Sequence, residues 1–450
     1  MSISRRDFVK MAALGTAGMG MSGAGFAAPA ASRIQGANDR VRVGIVGFSD
    51  RCRSSLILPL VRFSAELNFE IVAVSDLWSR RREEGAVFLK EKTGKAVATT
   101  RNNEELFETI RPDAVVISTA DFQHALLTAQ AVKAGCDVYC EKPFAETMSD
   151  ARVALKAVKD SGKVVQIGSQ RRSGANYIAA NEYIKSGKFG PLTMVEMSWN
   201  VNQPGRWRRP ALVASLREED TDWTRYLMNR PVEPWDPRKY LEYRLFWPYS
   251  SGIPGQWMCH QIDTVHWFTD LPHPRSVAVN GGIYGWKDGR KNADTLTAVF
   301  DYGPLDDPAT GFQVVYSSRM HNSAGGVKEY YFSNGGKLDL DKNIVTAEGG
   351  LTQGSAAEMG MKPNQLAEFK LPTEAAGTAA DMGSDPMTAA HVRNWMECVR
   401  SRKTPNADVK AGYRHSIACA MTTAAFRTGQ KATFDEATQE VMAGGQPFQY

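Results

Sequence analysis

The sequence is poor in cysteine, and beyond its first thirty residues it has no long hydrophobic run. Six cysteines are spread over 450 residues, and their spacing matches no zinc or redox motif. We therefore expect buried unpaired thiols, no disulfide framework and no metal site. Because no later stretch approaches the ~20 apolar residues of a membrane-spanning helix, no stable membrane span is predicted.

The charge also lacks a strong bias. There are 54 basic and 49 acidic residues, a formal net charge of +5, and no dense basic stretch that could follow a phosphate backbone. The sequence therefore predicts no nucleic-acid partner. The length and a hydrophobic content of 43% fit two ordinary globular domains.

An export signal is predicted at the N-terminus. Residues 4–10 read Ser-Arg-Arg-Asp-Phe-Val-Lys, the twin-arginine pattern, and a weakly apolar stretch rich in Gly, Ala and Met follows. We predict a signal peptide and linker over residues 1–32, with a periplasmic or secreted mature chain. The alternative is a chance arginine pair before a disordered tail.

Strands and helices alternate with short connections over residues 40–167. Apolar strand-like runs include Val41–Val46, Asp113–Ser118 and Asp137–Cys140, with helical patterns between them. This order predicts an α/β fold whose N-terminal domain is a Rossmann doubly wound parallel sheet.

The pattern changes at residue 168. Amphipathic or aromatic strands such as Thr193–Asn200 and Phe312–Ser317 predict a second α/β domain, residues 168–450, with an open, mostly antiparallel sheet. Between Gln203 and Tyr249 lies a segment rich in aromatic residues and arginine. It is either core or a platform for sugar rings whose arginines contact hydroxyls or carboxylates.

A glycine loop follows the first strand. Gly47, Phe48 and Ser49 lie where the G-x-G-x-x-G loop of dinucleotide-binding folds belongs, but Ser49 and Cys52 replace the second and third glycines. Gly47 can make the tight turn, and the backbone N–H of Ser49 can still donate to a phosphate. The alternative is a Rossmann-like fold that binds no dinucleotide.

Asp76 ends the second predicted strand. A carboxylate there accepts hydrogen bonds from the ribose hydroxyls and favours NAD over NADP. Three arginines follow at residues 80–82 and weaken that argument. The alternative is a helix N-cap beside a solvated arginine face.

Two further runs face the nicotinamide half of such a cleft. Thr119 and Ala120 follow a buried strand, and His124 is either structural or part of the cleft. Lys142, in the run Glu-Lys-Pro, lies at the C-terminal edge of the sheet, where open α/β folds bind ligands. A lysine there can anchor a substrate hydroxyl and exchange its proton once burial lowers its pKa. The alternative is a surface lysine in a turn.

The second domain contributes one constellation. Gln256, His260 and Asp263 share a helix face at positions i, i+4 and i+7, so a histidine acid/base would have polar neighbours. A metal pair is disfavoured because no third ligand has a useful spacing.

Together these motifs resemble the Gfo/Idh/MocA family over nearly all of the predicted mature chain. The resemblance includes the Glu-Lys-Pro run, residues 168–172 and the run that starts at His260. It implies a Rossmann domain plus an open-sheet domain, with NAD(P) used to oxidise or reduce a hydroxyl carbon of a sugar, inositol or derivative. It implies Lys142 and His260 as catalytic residues, Glu141 at the cofactor, Arg171 at the substrate, and a homo-oligomer, dimer or tetramer.

One departure concerns Gln256, because the family often has an aspartate at this position and an amide cannot ionise. Three functions stay open. The first is an exported NAD-dependent oxidoreductase that retains its cofactor, since the periplasm has no free NAD pool. The second is a glycosidase that acts by transient oxidation and elimination. The third is a non-catalytic sugar-binding protein on a dehydrogenase scaffold.

Overall fold

The computed structural model describes residues 39–203, 205, 207–372 and 385–450. The predicted twin-arginine segment and the predicted division at residues 1–32 lie outside these residues. In the described part of the chain, no helix is both long and apolar enough to cross a bilayer.

The N-terminal sheet has six parallel strands. Its strands are β1 (Val41–Val46), β2 (Phe69–Ser75), β3 (Ala98–Thr100), β4 (Ala114–Ile117), β5 (Asp137–Cys140) and β6 (Val165–Ile167). Their order is β3-β2-β1-β4-β5-β6, and every neighbouring pair is parallel. The chain reverses its direction of travel across the sheet between β1 and β4, and ligands bind at such a switch point. The predicted Rossmann sheet is confirmed.

Helices connect these strands. They are α1 (Ile57–Leu67), α2 (Ser79–Thr93), α3 (Asn103–Glu105), α4 (His124–Lys133) and α5 (Met148–Ser161). A widened i→i+5 turn over Cys52–Leu56 precedes α1, and another over Leu106–Ile110 follows α3. Helix α5 begins where the Thr147 hydroxyl accepts a hydrogen bond from the Asp150 N–H and ends at Gly162 in the left-handed conformation.

The second sheet has eleven strands in the described part of the chain. Its strands are β7 (Leu192–Asn200), β8 (Ser276–Gly282), β9 (Thr295–Tyr302), β10 (Phe312–Arg319), β11 (Val327–Ser333), β12 (Gly336–Asp339), β13 (Ile344–Thr346), β14 (Phe369–Lys370), β15 (Ala432–Asp435), β16 (Glu440–Ala443) and β17 (Gln446–Pro447). Strands β7 and β10 pair in parallel, and the other printed pairings are antiparallel. Buried and exposed positions alternate along β9, so one face covers the core. The predicted mostly antiparallel sheet is confirmed.

The remaining helices are α6 (Ala175–Lys185), α7 (Pro210–Ser215), α8 (Trp223–Leu227), α9 (Pro237–Leu241), α10 (Cys259–Thr269), α11 (Gln353–Glu358), α12 (Pro386–Ser401) and α13 (Val409–Thr428). Helix α13 packs on α10 and β8. Helix α12 packs against the N-terminal sheet instead, where Trp395 contacts Tyr139 and Phe69 at ring-centroid distances of 5.9 and 6.1 Å. The hydrophobic core therefore crosses the predicted boundary at residues 167/168, and that division stays a prediction.

Candidate active site

A cavity of about 740 Å³ lies at the carboxyl edge of the parallel sheet. Both parts of the chain line it. The N-terminal part contributes Gly47, Phe48, Ser49, Asp76, Thr119, Ala120, His124, Glu141 and Lys142, and the second part contributes Trp199, Trp207, Arg244, Gln256, Trp257 and His260, among others. The structure thus brings together all of the predicted cofactor residues, both predicted catalytic residues and Gln256.

The turn after β1 requires glycine at position 47. The Gly47 N–H donates to the Ser75 carbonyl at 2.8 Å, and the Gly47 backbone has φ = +85°. A Cβ there would lie 2.7 Å from Thr119 Cγ2 and 2.8 Å from the Ser118 carbonyl oxygen. Both the conformation and the lack of space exclude a larger residue.

The two replaced glycines are accommodated. The Ser49 hydroxyl lies 2.6 Å from the Ser118 hydroxyl and accepts a hydrogen bond from the Cys52 N–H at 3.2 Å. Ser49 therefore caps the helical turn that follows. Cys52 is fully buried in a hydrophobic cluster and opens the widened turn. The first N–H groups of a helix have no hydrogen-bond acceptor within the helix, so those of this helix could donate to a pyrophosphate.

Asp76 holds the glycine loop against β2. Its Oδ2 accepts the Phe48 N–H at 2.8 Å, and its Oδ1 accepts the Trp78 N–H at 2.9 Å. Burial raises the pKa of Asp76, although these two hydrogen bonds oppose the shift. Each oxygen keeps a second lone pair for a ribose hydroxyl.

The arginines after Asp76 have partners of their own. Arg81, on the cavity wall, pairs with Asp50 at 2.9 Å and with Glu84 at 3.0 Å. Arg80 pairs with Glu84 at 2.7 Å, and Arg82 donates to backbone carbonyls at the start of α2. The guanidinium groups of all three arginines are therefore already engaged by other groups of the protein.

Thr119 and His124 line the nicotinamide side of the predicted cleft. The Thr119 hydroxyl is buried and has no hydrogen-bond partner among the described residues. His124 Nδ1 lies 2.7 Å from the Pro143 carbonyl oxygen, and burial lowers the pKa of His124. A neutral His124 therefore supports the turn that carries Lys142.

Glu141 is fixed before this turn. Arg51 Nε lies 3.0 Å from Glu141 Oε1, and the other end of the guanidinium donates to the Thr388 hydroxyl at 3.2 Å. Burial opposes ionisation, but the charges of Arg51 and Lys142 and the hydrogen bond from Arg51 together lower the pKa of Glu141. The glutamate is a buried anion that orients the chain next to Lys142.

Lys142 reaches across to the second part of the chain. Its Nζ donates to the Gln256 backbone carbonyl at 2.6 Å, and the Lys142–Pro143 peptide bond is cis. The side chain is half-buried, and burial lowers the pKa of Lys142 against the opposing charges of Glu141 and Asp121. The lysine is therefore not a solvated surface residue in a turn.

The Gln256 amide joins Asp121 to Arg244, which is one of the arginines of the aromatic segment that the sequence indicated as possible contacts for hydroxyls or carboxylates. Its Oε1 accepts Arg244 Nε at 2.7 Å, and its Nε2 donates to Asp121 Oδ2. Asp121 Oδ2 also accepts the Ser250 hydroxyl at 2.6 Å, while its Oδ1 is buried with no partner in the described part of the chain. A carboxylate therefore does lie beside the glutamine, and it comes from the Rossmann domain.

His260 lies at the start of α10 and is only 3% exposed. Its ring stacks on Trp199 at a centroid distance of 5.7 Å and an interplanar angle of 27°. Burial holds the pKa of His260 well below its usual range, and the charges of Lys142 and Arg171 act in the same direction. The imidazole is therefore neutral.

Two predicted substrate residues lie elsewhere. Asp263 is fully buried and accepts two hydrogen bonds from Arg172, at 2.8 and 2.9 Å. Arg171 is ion-paired with Glu329. Neither is among the described residues that line the cavity, although the Arg171 guanidinium carbon lies 5.6 Å from the ring centre of Trp199, which does. Their roles at the substrate stay predictions. The widened turn over Pro254–Met258 changes the position of Gln256 relative to the helix that carries His260 and Asp263.

Aromatic side chains form the wall opposite the Rossmann domain. Trp199 stacks on Trp257 at 6.1 Å with an interplanar angle of 5°, and Trp207 packs on Trp257 at 5.2 Å. Tyr226 and Tyr243, from the predicted aromatic segment, also line the cavity. Some aromatic residues of the segment therefore line the cavity and others lie in the core, and the sequence pattern alone does not show which are which.

Polar contacts attach this segment to the dinucleotide-binding loops. Arg209 Nη2 lies 3.2 Å from Asp50 Oδ2, beside the glycine loop. Gln123 Nε2 donates to the Tyr226 carbonyl at 2.8 Å. These contacts place the segment against the loops at the edge of the parallel sheet.

The parallel sheet and the cavity at its carboxyl edge are those of a Rossmann fold. Residues 41–169 match the family described as "Oxidoreductase family, NAD-binding Rossmann fold". The predicted resemblance to the Gfo/Idh/MocA oxidoreductases is thus confirmed for the nucleotide-binding part of the chain.

Curated relatives and solved structures agree with this assignment. The chain is 30% identical to inositol 2-dehydrogenase of Rubrobacter xylanophilus over 210 residues, which are 44% of this chain and 56% of that protein. It is 29% identical to 1,5-anhydro-D-fructose reductase of Ensifer adhaerens over 198 residues, 42% of this chain and 56% of that protein. The chain thus spans little more than half the length of the curated relatives it matches. The WlbA dehydrogenase from Bordetella pertussis, solved with NADH and UDP-GlcNAcA, has the same fold, with a TM-score of 0.61, 16% identity and coverage of 88% of this chain and 98% of that one.

Proposed function

We propose that this protein is a NAD-dependent oxidoreductase that acts on a hydroxyl carbon of a sugar, inositol or sugar derivative. One observation carries the proposal: a single cavity is lined at once by Gly47 and Asp76 and by Lys142 and His260. The cofactor loops and the predicted proton-transfer residues therefore share one space.

The residues of the cleft fit NAD. The Gly47 turn leaves no room for a Cβ, and the helical turn capped by Ser49 offers N–H groups to a pyrophosphate. The buried, unpartnered Thr119 hydroxyl supplies a further polar group beside the turn. NADP is disfavoured because Arg81 is already held by two carboxylates instead of facing a 2′-phosphate.

NAD, when bound, supplies the hydride acceptor for the substrate carbon. Lys142 would take the proton of the reacting hydroxyl, because burial increases the fraction of uncharged amine at neutral pH. Its hydrogen bond to the Gln256 carbonyl fixes Nζ in the cavity. His260 is neutral and lines the same space, so it can receive or return a proton.

The aromatic wall supports a sugar-like substrate. Trp199, Trp207 and Trp257 present a packed apolar surface of the kind on which the C–H face of a sugar ring lies. The names of the relatives, an inositol dehydrogenase and an anhydrofructose reductase, favour the same chemistry.

We further propose that the mature chain is exported by the twin-arginine route and retains its cofactor. The run at residues 4–10 supports export, and the contact between Arg209 and Asp50 supports retention. A homo-oligomer, dimer or tetramer, is part of the same proposal and is tested by light scattering after gel filtration.

The test begins with protein purified without added cofactor. After denaturation, mass spectrometry of the supernatant measures NAD(H) and NADP(H). We expect NAD(H) in near-stoichiometric amount, and turnover of a sugar, inositol or glycoside that Lys142→Met abolishes. Release of a free sugar from a glycoside without net NADH would favour the transient-oxidation glycosidase. No bound nucleotide, and none taken up on titration, would favour the non-catalytic sugar-binding protein.

A further inference from the structure

We infer that the substrate of this site carries a carboxylate and that Arg244 binds it. The inference rests on the proposed function and narrows the substrate to polyhydroxy acids, such as uronic or aldonic acids. Its starting point is the distribution of ion pairs around the cavity.

Five arginines line the cavity, and four of them are paired with carboxylates. Arg51 pairs with Glu141, Arg81 with Asp50 and Glu84, Arg209 with Asp50, and Arg225 with Glu104 and Asp222. Within the described ranges of the chain, Arg244 forms no ion pair with any carboxylate. The positive charge of the Arg244 guanidinium is therefore not neutralised by direct contact with a carboxylate.

Arg244 is nevertheless held in position. Its Nε donates to Gln256 Oε1 at 2.7 Å, and its guanidinium carbon lies 4.6 Å from the centre of the Tyr243 ring. The Arg244 carbonyl accepts a hydrogen bond from Asn292 Nδ2 at 2.9 Å. These contacts use Nε and one face of the guanidinium. The two Nη groups remain for a ligand, and they suit the two oxygens of a carboxylate.

The position relative to Lys142 fits one small substrate. Gln256 holds both cations, Lys142 through its backbone carbonyl and Arg244 through its side-chain oxygen. The Gln256 carbonyl oxygen and Gln256 Oε1 are separated by no more than the length of the glutamine side chain, so the two cations lie close to each other. A polyhydroxy acid can therefore place a carboxylate on Arg244 and a neighbouring hydroxyl at Lys142.

The local charge agrees with an anionic ligand. Lys142 and Arg244 are both basic, His260 is neutral, and the anion that faces Gln256 is Asp121. Asp121 is 1% exposed and lies behind the glutamine, so it offsets only part of this positive charge. A neutral sugar would leave the remaining part of the Arg244 charge uncompensated in a half-buried site, since Asp121 and Asp50 act on this charge without forming an ion pair with it.

The experiment compares acids with their neutral amides on the NAD-loaded protein. The ligands are D-glucuronate, D-galacturonate and D-gluconate, each against its amide, with D-glucose and myo-inositol as uncharged references. Calorimetry measures binding, and NADH formation measures turnover. We expect at least one acid to bind at least 10-fold more tightly than its amide, because hydrogen bonds between charged groups are worth this much.

Variants assign the preference to Arg244. Arg244→Met should weaken acid binding about 10- to 100-fold and weaken amide binding by a smaller factor, because the amide loses only a hydrogen bond to a neutral oxygen, and Arg244→Lys should restore part of the loss. Arg393→Gln is the control, because Arg393 lies on α12 and pairs with Glu66 and Glu397 away from the cavity. Thermal unfolding of each variant checks the fold.

Three results would overturn the inference. They are equal binding of acid and amide, an acid affinity that Arg244→Met leaves unchanged, and failure of the NAD-loaded protein to bind any of the acids. Failure of the proposed function gives a different result, absence of NAD uptake. That result is established by the nucleotide measurement before any acid is added.

Discussion

The side-chain nitrogen of Lys142 donates to the backbone carbonyl of Gln256 at 2.6 Å. The bond joins the edge of the parallel sheet to the turn before α10, which carries His260. A backbone acceptor cannot be removed by changing the Gln256 side chain, so the position of Lys142 depends on the fold of this turn.

Replacing Lys142 should impair catalysis without impairing cofactor binding. Lys142→Met keeps the length of the side chain but removes the proton acceptor, so kcat should fall about 10²- to 10⁴-fold. Bound NAD should remain within about 2-fold of the unsubstituted protein. Lys133→Met is the matched control, because Lys133 lies exposed at the end of α4. Full activity in Lys142→Met would disprove the catalytic assignment.

The rate of oxidation should rise with pH, with a midpoint below the usual pKa of lysine. Burial lowers the pKa of Lys142, and only the uncharged amine accepts the hydroxyl proton. The midpoint of the rise in kcat should therefore lie below the ordinary lysine value of 10.5. A profile that is flat through neutral and alkaline pH would rule out Lys142 as the titrating base.

Asp121 should tune this midpoint as a positioning residue. Its negative charge opposes the lowering of the Lys142 pKa, so Asp121→Asn should move the rise in kcat to lower pH. If Asp121 only supported the structure, Asp121→Asn would lower kcat without shifting the midpoint of its pH dependence. Asp137→Asn serves as the comparison, since Asp137 is a buried carboxylate paired with Arg402 outside the cavity.

Gly47→Ala should impair NAD binding by at least 10-fold. The added methyl group would meet Thr119 Cγ2 at 2.7 Å, and the backbone would need a left-handed conformation worth about 1–3 kcal/mol of strain. Gly94→Ala is a close control, because Gly94 has φ = +72° and an added Cβ meets nothing within 4 Å. The strain is similar in both variants, so a difference in NAD titration reports the crowded turn. Equal NAD affinities would contradict the assignment of this loop.

Glu146 should make the protein less stable as pH rises. Burial, with the Asp121 charge, raises the pKa of Glu146 from its ordinary 4.5 to about 8. The folded state then holds this proton more strongly than the unfolded state. The free energy of unfolding should fall between about pH 4.5 and 8, by at most about 1.4 kcal/mol per pH unit.

Glu146→Gln removes the ionisation but keeps the shape and the acceptor for the Ser251 N–H, which bonds at 2.9 Å. Urea unfolding at several pH values should therefore show a flatter dependence in the variant. Parallel slopes for the two proteins would assign the pH dependence to other groups.

The sequence predicted the Rossmann half in detail because its signals are local. The run Asp137–Cys140 was predicted as a strand and forms β5, and the helical patterns predicted between the strands correspond to helices such as Ser79–Thr93. The spacing of apolar residues and the turn residues on either side are enough to predict such elements, without information from the rest of the chain. The edge strands β12–β17 were missed because short, two- to four-residue strands carry almost no period.

The site was predictable where a motif placed a residue at a strand end, as for Gly47, Asp76 and Lys142. It was not predictable where function arises from contact between distant segments. Asp121 and Gln256 are 135 residues apart, and nothing in either run indicates their hydrogen bond. The role of Arg244 follows from the missing ion pair, which only the positions of the other four cavity arginines reveal.

The contacts between Arg209 and Asp50 and between Gln123 and Tyr226 have a kinetic consequence. A dinucleotide bound at the glycine loop would lie beside these contacts, and we expect them to slow nucleotide exchange. The ratio of NAD to NADH in freshly purified protein should then report the redox state of the compartment in which the chain folded, and dialysis should barely change it.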